Sequence, residues 1–242
     1  MPFLSRRIAV AKPDDRQAKV EIHYSTPANE LLELHRAVVS AFVELLSHRD
    51  TESGAHPIRM QRFVECLTEM AASSPKFAGK INQQFAEMVI CCAPLHDIGK
   101  VGLPDHILMK PGKLANDERL VMQTHTIMGA ATLERVAQRH GLARSFLQTA
   151  IEITRHHHER FDGLGYPDGL VGDAIPLSAR IVTIADVYDA LRSRRSYKPA
   201  LTHRMTLQIM TQECAGQFDP DLLRTFERCA DKFEQIYWDL AG

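Results

Sequence analysis

The sequence predicts an all-α protein, a helical bundle led by a short N-terminal extension with minor β character. Three observations predict it. From Pro27 onward, apolar residues recur near the 3.6-residue period of a helix. Pro57, Pro176 and Pro220 stand at or just before the start of helical stretches, where a proline does no harm. Only one long segment, from Glu159 to Leu177, is dominated by glycine and proline punctuation.

Taken in order, Ile8-Ala9-Val10 and Val20 to Tyr24 have the composition of short strands. A first helix follows Pro27, with Leu31, Leu32, Leu34, Val38, Ala41, Phe42, Leu45 and Leu46 as its apolar set. It breaks near Ser53-Gly54. The next helix carries Met60, Phe63, Val64, Leu67 and Met70, and residues 82–95 form another that runs into His96-Asp97. Asn116 is expected to cap the helix bearing His125. Residues 145–158 are helical and end in three histidines. After the glycine-rich segment, a helix places Ile181, Ile184, Ala185, Tyr188 and Leu191 on one face. The last helix carries the stripe Leu222, Leu223, Phe226, Phe233, Ile236, Tyr237 and Leu240, which serves either a core or a dimer seam. The expected organisation is an extension and lead-in helix over 1–44 and one helical domain over 45–242.

Composition narrows the function. An apolar fraction of 45% over 242 residues suffices for a substantial core. A net charge of −1 gives no long-range attraction to DNA or to an anionic membrane. No apolar run reaches the roughly 20 residues of a membrane span. The N-terminus lacks the apolar core of a signal peptide. Five scattered cysteines without CxxC spacing fit a reducing, cytoplasmic setting. The excess is in histidine, with twelve.

Those histidines stand beside carboxylates: Glu52 with His56, His96-Asp97, His125, His156-His157-His158, and Asp186. Imidazole and carboxylate without nearby thiolate suit Mn, Fe or Zn in a non-thiolate site. Each has a plainer reading. His-Asp alone is a helix-end pair, His125 alone a hydrogen-bonded core histidine, and a histidine run a solvated helix end. Asp186 is different, because a carboxylate between Ala185 and Val187 in an apolar helix is costly unless paired or metal-bound. Asp189 reads equally as a surface group or as support for the site. Glu52 and His56, four apart, would share a helical face, but Pro57 disfavours a helical His56. Lys100 places a cation four residues after His96, and Arg192, Arg194, Arg195 and Lys198 follow the Asp186 helix.

Four blocks then resemble one family. They are HDIGKVGLPDHILMKPGKL (96–114), HHERFDGLGYPDGLVGDAIPLSARI (157–181), ADVYDALRSRRSYK (185–198) and FDPDLLRTF (218–226). With RDTESGAHPIR (49–59) upstream, the stretch 45–230 resembles the HD-GYP group of HD-superfamily metal phosphohydrolases. The resemblance implies a helical bundle that hydrolyses cyclic di-GMP to linear pGpG, with GMP as a further product. It implies two divalent ions, Fe or Mn, held by His96, Asp97, His125, His157, His158 and Asp186, with Asp97 as a bridge. Glu52 and His56 would serve a third ion, and His156 would be structural. Lys100 would hold the scissile phosphate, and Tyr166, Arg195 and Lys198 would contact the ligand. Asp97 and Lys100 are thus the expected catalytic pair.

Two cations about 3.5–4 Å apart can clamp a phosphodiester and activate a water for in-line attack. The resemblance also implies docking of cyclase (GGDEF) partners on the GYP loop, and a homodimer is a further expectation. Thr126 and Ser196 stand where the family often has proline, which removes no ligand and no charge. The residues before the match are too few for an ordinary receiver domain, so regulatory input is expected from a small element, a partner or the ligand. The rival expectations are a non-catalytic binding module and a phosphohydrolase for another cyclic dinucleotide. The complete ligand set argues against the first, and the GYP block with Arg195 and Lys198 against the second.

Overall fold

The computed structural model describes residues 27–49, 54–140, 144–194 and 199–240. The two strand-like N-terminal segments, Glu52, Arg195 and Lys198 lie outside the described residues. Among the described residues the chain is helical and holds no strand. The α-helices are α1 (Pro27–Ser47), α2 (His56–Ala72), α3 (Gln83–Cys92), α4 (Asp105–Leu108), α5 (Asn116–Arg139), α6 (Arg144–His156), α7 (Leu177–Arg192), α8 (His203–Gln208) and α9 (Pro220–Asp239). Single 3-10 turns at Ala93–Leu95 and Ile98–Gly102 join α3 to α4.

The core lies among α2, α7 and α9. Phe63 stacks on Phe233 at 4.6 Å, and Tyr188 meets both rings edge-on at 5.3 and 5.2 Å. These three side chains are fully buried, each stabilising the fold by about 1.5–3 kcal/mol. Leu222, Leu223 and Phe226 join them, so the buried part of the C-terminal stripe is core. The end of α7 is fastened by α9: Tyr237 Oη donates to Arg192 O at 2.7 Å, and the Arg192 guanidinium lies 4.5 Å from the Tyr237 ring centroid.

Three local expectations are corrected. In α1 the buried positions are Val39 and Leu46, whereas Leu31, Leu34, Val38, Phe42 and Leu45 are exposed. That helix is apolar on two sides, and periodicity alone cannot say which side the core takes. The α5 cap is Ala115 rather than Asn116, because the Glu118 carboxylate reaches back to the Ala115 N–H at 2.7 Å. His56 is the first residue of α2, with Pro57 in the first turn. A tertiary contact to its ring offsets the local cost of preceding a proline.

Candidate metal centre

The site begins where α3 gives way to 3-10 turns. Pro94 ends the α-helical pattern, and the chain turns through His96 and Asp97. Neighbouring elements fix this turn by its backbone. Thr154 Oγ1 on α6 donates to Leu95 O at 3.0 Å. The Arg49 guanidinium, just past the end of α1, donates to Val101 O, to Leu103 O and to the Asp105 carboxylate. Gly99 packs against the α5 backbone so closely that a Cβ there would stand 1.9 Å from His125 O. This contact sets His125 beside Asp97. On the other side, Thr183 Oγ1 of α7 donates to His157 O at 2.7 Å.

Two groups of ligand-type side chains result. Asp97, His125, His157 and His158 form one, and His56, His96 and Asp186 the other. Within each group the candidate ligand atoms lie within 4.8 Å of one another. Asp97 faces both. Its Oδ2 is 3.2 Å from His96 Nε2, and its Oδ1 is 3.1 Å from His125 Nε2 and 3.8 Å from His157 Nε2. Asp186 Oδ1 lies 3.8 Å from His96 Nε2.

The ring nitrogens show which atoms are offered. Nδ1 of His96 meets Ala93 O at 2.9 Å, that of His125 meets Met122 O at 2.8 Å, and that of His157 meets Ile153 O at 3.1 Å. A carbonyl only accepts, so each Nδ1 carries hydrogen, and each Nε2 faces the site and presents a lone pair whenever its ring is neutral. Those three Nε2 atoms are buried and make no hydrogen bond. Orphaned imidazole nitrogens around the buried Asp97 and the partly buried Asp186 fit divalent cations, because an ion in each group would satisfy its nitrogens.

The electrostatics agree. Burial works against a charge on His96, yet the Asp97 and Asp186 carboxylates outweigh it and push its pKa up to about 10. Burial would also raise Asp97, but Lys100, His96 and His125 together hold its carboxyl well below the usual carboxylate range. Burial and the neighbouring His125 push His158 down to about 3, and burial with His158 and His96 lowers His157 strongly. His96 therefore holds a proton where a cation would take its place, while His157 and His158 stay neutral. Lys100 Nζ lies 2.8 Å from Asp97 Oδ2.

Tyr166 sits over this centre, its ring 4.8 Å from that of His158. Burial keeps its phenol protonated well above the ordinary range. The glycine-rich segment is organised rather than structureless. The buried Glu159 carboxylate accepts from Asp168 N at 2.7 Å and from Leu170 N at 3.0 Å. Arg155 grips Asp168 through two bonds of 2.7 and 2.8 Å, and His156 Nε2 lies 3.1 Å from the same carboxylate. His156 thus turns away from the centre to the loop. Gly165 is needed for close approach, since a Cβ there would stand 2.3 Å from Arg160 N.

Sequence reasoning missed Glu159 and Arg59 and left Asp189 undecided. Arg59 donates to Asp189 from Nε at 2.6 Å and from Nη2 at 2.9 Å, and Asp189 Oδ2 meets His56 Nδ1 at 2.7 Å. The available signal was spacing: Arg59 follows His56 by three residues, and Asp189 follows Asp186 by three, so each pair shares a helical face.

Comparison with known proteins bears on this arrangement. An HD domain model matches residues 55–222. A cyclic di-GMP phosphodiesterase of Vibrio cholerae is 42% identical over 208 residues, covering 86% of this chain and 42% of that protein. The cyclic di-GMP phosphodiesterase response regulator RpfG of Xanthomonas campestris is 37% identical, covering 91% of this chain and 55% of its own length. A 3'3'-cGAMP-specific phosphodiesterase of Vibrio cholerae is 36% identical, with 86% and 37% covered. The chain thus spans about half the length of these curated relatives, or less. Among solved structures, Bd1817, an HDG"Y"P protein from Bdellovibrio bacteriovorus, matches with a TM-score of 0.53 at 15% identity, over 84% of this chain and 63% of that one; this likeness speaks for the fold. The helical fold and the two His/Asp clusters, capable of holding metal ions, stand within the stretch that the HD domain model matches. The chain belongs to the HD domain family and, within it, to the HD-GYP group.

Proposed function

We propose that this chain is a metal-dependent phosphodiesterase that hydrolyses cyclic di-GMP to linear pGpG, with GMP as the product of any second cut. The observation that carries the reading is the pair of His/Asp clusters meeting at Asp97, with Lys100 beside them. The relatives that share this stretch are named for the same activity.

Asp97, His125, His157 and His158 would hold one cation, and His56, His96 and Asp186 another, with Asp97 shared. Glu52 would add a ligand beside His56. Imidazole and carboxylate donors without thiolate suit iron or manganese. When bound, the ions would supply Lewis-acid charge to the phosphodiester and make water nucleophilic. The chain's own groups do the rest. Lys100 offsets negative charge developing on the phosphoryl oxygens. Tyr166, kept protonated by burial, supplies a hydrogen-bond donor or a stacking face to the ligand. Arg195 and Lys198 follow the fastened end of α7 and would meet the second phosphate.

The GYP segment exposes Leu164 and Val171, a surface on which a cyclase (GGDEF) partner would dock. No helix among the described residues is long and apolar enough to cross a membrane, and a cytoplasmic setting, with a homodimer as the assembly, completes the reading. A second substrate has support, because a 3'3'-cGAMP-specific relative shares over a third of the aligned residues. Anaerobic purification with metal analysis, joined to turnover of cyclic di-GMP and 3'3'-cGAMP on the same sample, tests both. Metal with pGpG appearing supports the proposal. Metal with cGAMP turnover alone transfers it to the second substrate. Full occupancy without turnover of either sinks the enzymatic reading in favour of a binding module.

A further inference from the structure

The histidines of the two clusters are not supported alike. His96, His125 and His157 each give Nδ1–H to a backbone carbonyl. His56 gives its Nδ1–H to a carboxylate, that of Asp189, at 2.7 Å. Asp189 is 2% exposed and belongs to neither ligand group. Its charge is met by Arg59, which holds both oxygens, and Ser193 Oγ lies 3.4 Å from Oδ2.

A carboxylate behind an imidazole does two things that a carbonyl does less well. It fixes the tautomer with a charge-assisted bond, and it pushes electron density toward Nε2, which strengthens the metal bond. Geometry adds a further consequence. Asp189 stands one turn beyond Asp186 on α7. One helix therefore sets two members of the His56, His96 and Asp186 cluster, Asp186 directly and His56 through Asp189. The other cluster has no such support from Asp189.

We propose that Asp189 is a positioning residue for the His56, His96 and Asp186 cluster, and that Arg59 is the fork that keeps it in place. This rests on the metal-centre reading above. Metal affinity at this cluster depends on Asp189, while affinity at the Asp97, His125, His157 and His158 cluster does not.

The test is a Mn²⁺ titration of the full chain, followed by electron paramagnetic resonance and elemental analysis, on wild type, Asp189→Asn and His56→Gln. Wild type should bind at least two ions. Asp189→Asn should weaken one site by about 10–100-fold, the usual effect of losing such a support, and leave the other unchanged. His56→Gln should lose one site and so identify it as the one His56 serves; a merely structural role of Asp189 would not confine the effect of Asp189→Asn to that same site. Unchanged affinity in Asp189→Asn, or equal loss at both sites in a folded protein, overturns the inference. If Asp189→Asn does not fold, Arg59→Lys decides: it keeps the charge but cannot hold both oxygens, so it should weaken the same site, and wild-type affinity there overturns the inference. A wild type that binds no ion refutes the metal-centre reading itself, a result distinct from all of these.

Discussion

Lys100 Nζ and Asp97 Oδ2 stand 2.8 Å apart within one short turn, yet their neighbours assign them different work. Asp97 points its two oxygens toward the two histidine clusters, whereas Lys100 reaches the site as a cation that no metal would accept as a ligand. Asp97→Ala should therefore abolish turnover and lower metal content together. Lys100→Ala should keep the metal and slow turnover by about 10²–10³-fold, the usual loss for one group that stabilises developing charge. Elemental analysis beside a turnover assay checks both. Equal metal loss in the two variants would contradict this division.

Glu159 should govern the loop rather than the metal. Its carboxylate is buried and holds the backbone of residues 168 and 170, which bracket the loop just beyond Tyr166. Glu159→Ala leaves two N–H groups without their acceptor, a cost of about 1–3 kcal/mol each if they stay dry. We expect a lower melting temperature, wild-type metal content and a rise in KM that exceeds the fall in kcat. A variant with lost metal but unchanged KM would show that the loop does not contact substrate through Tyr166.

How much of this was legible beforehand depended on the range of the interaction. His96, Asp97, His125, His157, His158 and Asp186 could be named from the sequence as candidate ligands because their motifs are contiguous and ordered, and the fold brings them into two groups. The helices carrying them followed from apolar period. The pairing of His56 with Asp189 joins residues 133 positions apart, and no local pattern encodes it. The buried side of α1 was also illegible, since Leu31, Leu34 and Val38 repeat as regularly as Leu32 and Val39. Glu159 lay inside the matched HHE block, but its role required knowing that the chain folds back over it. The 3-10 turns after α3 escaped because Pro94 permits either a helix end or a kink.

Acid sensitivity should have a component outside the two ligand clusters. His203 Nδ1 meets Tyr188 Oη at 2.8 Å, and burial lowers the histidine's pKa. Glu234 and Asp231 oppose that shift, and Arg192 reinforces it. The native state therefore holds His203 neutral where the unfolded chain, with a histidine's ordinary pKa of 6.5, begins to take up a proton. Unfolding binds protons below that pH, so stability is complete above it and falls as pH drops. In melting curves between about pH 5 and 8, His203→Gln should lose less stability on acidification than wild type. An identical slope would place the acid response elsewhere.

Gly99→Ala should damage the fold and the site at once. The added methyl carbon would stand 1.9 Å from His125 O and 2.7 Å from Gly129 N, both of them backbone atoms that cannot rotate away. Either α5 retreats, taking His125 from Asp97, or the turn carrying His96 and Asp97 shifts. Overpacking of this kind costs about 1–3 kcal/mol or more, and for a chain of this size each kcal/mol lowers the melting temperature by about 2–4 °C. The expected fall is about 5–10 °C, with weaker metal binding in whatever protein remains folded. Gly54→Ala is the control, since nothing lies within 4 Å of a Cβ there and its backbone is free of left-handed strain. Its melting temperature should stay within about 2 °C of wild type. If Gly99→Ala melts like Gly54→Ala, the close approach of the His96 turn to α5 is not what places His125 beside Asp97.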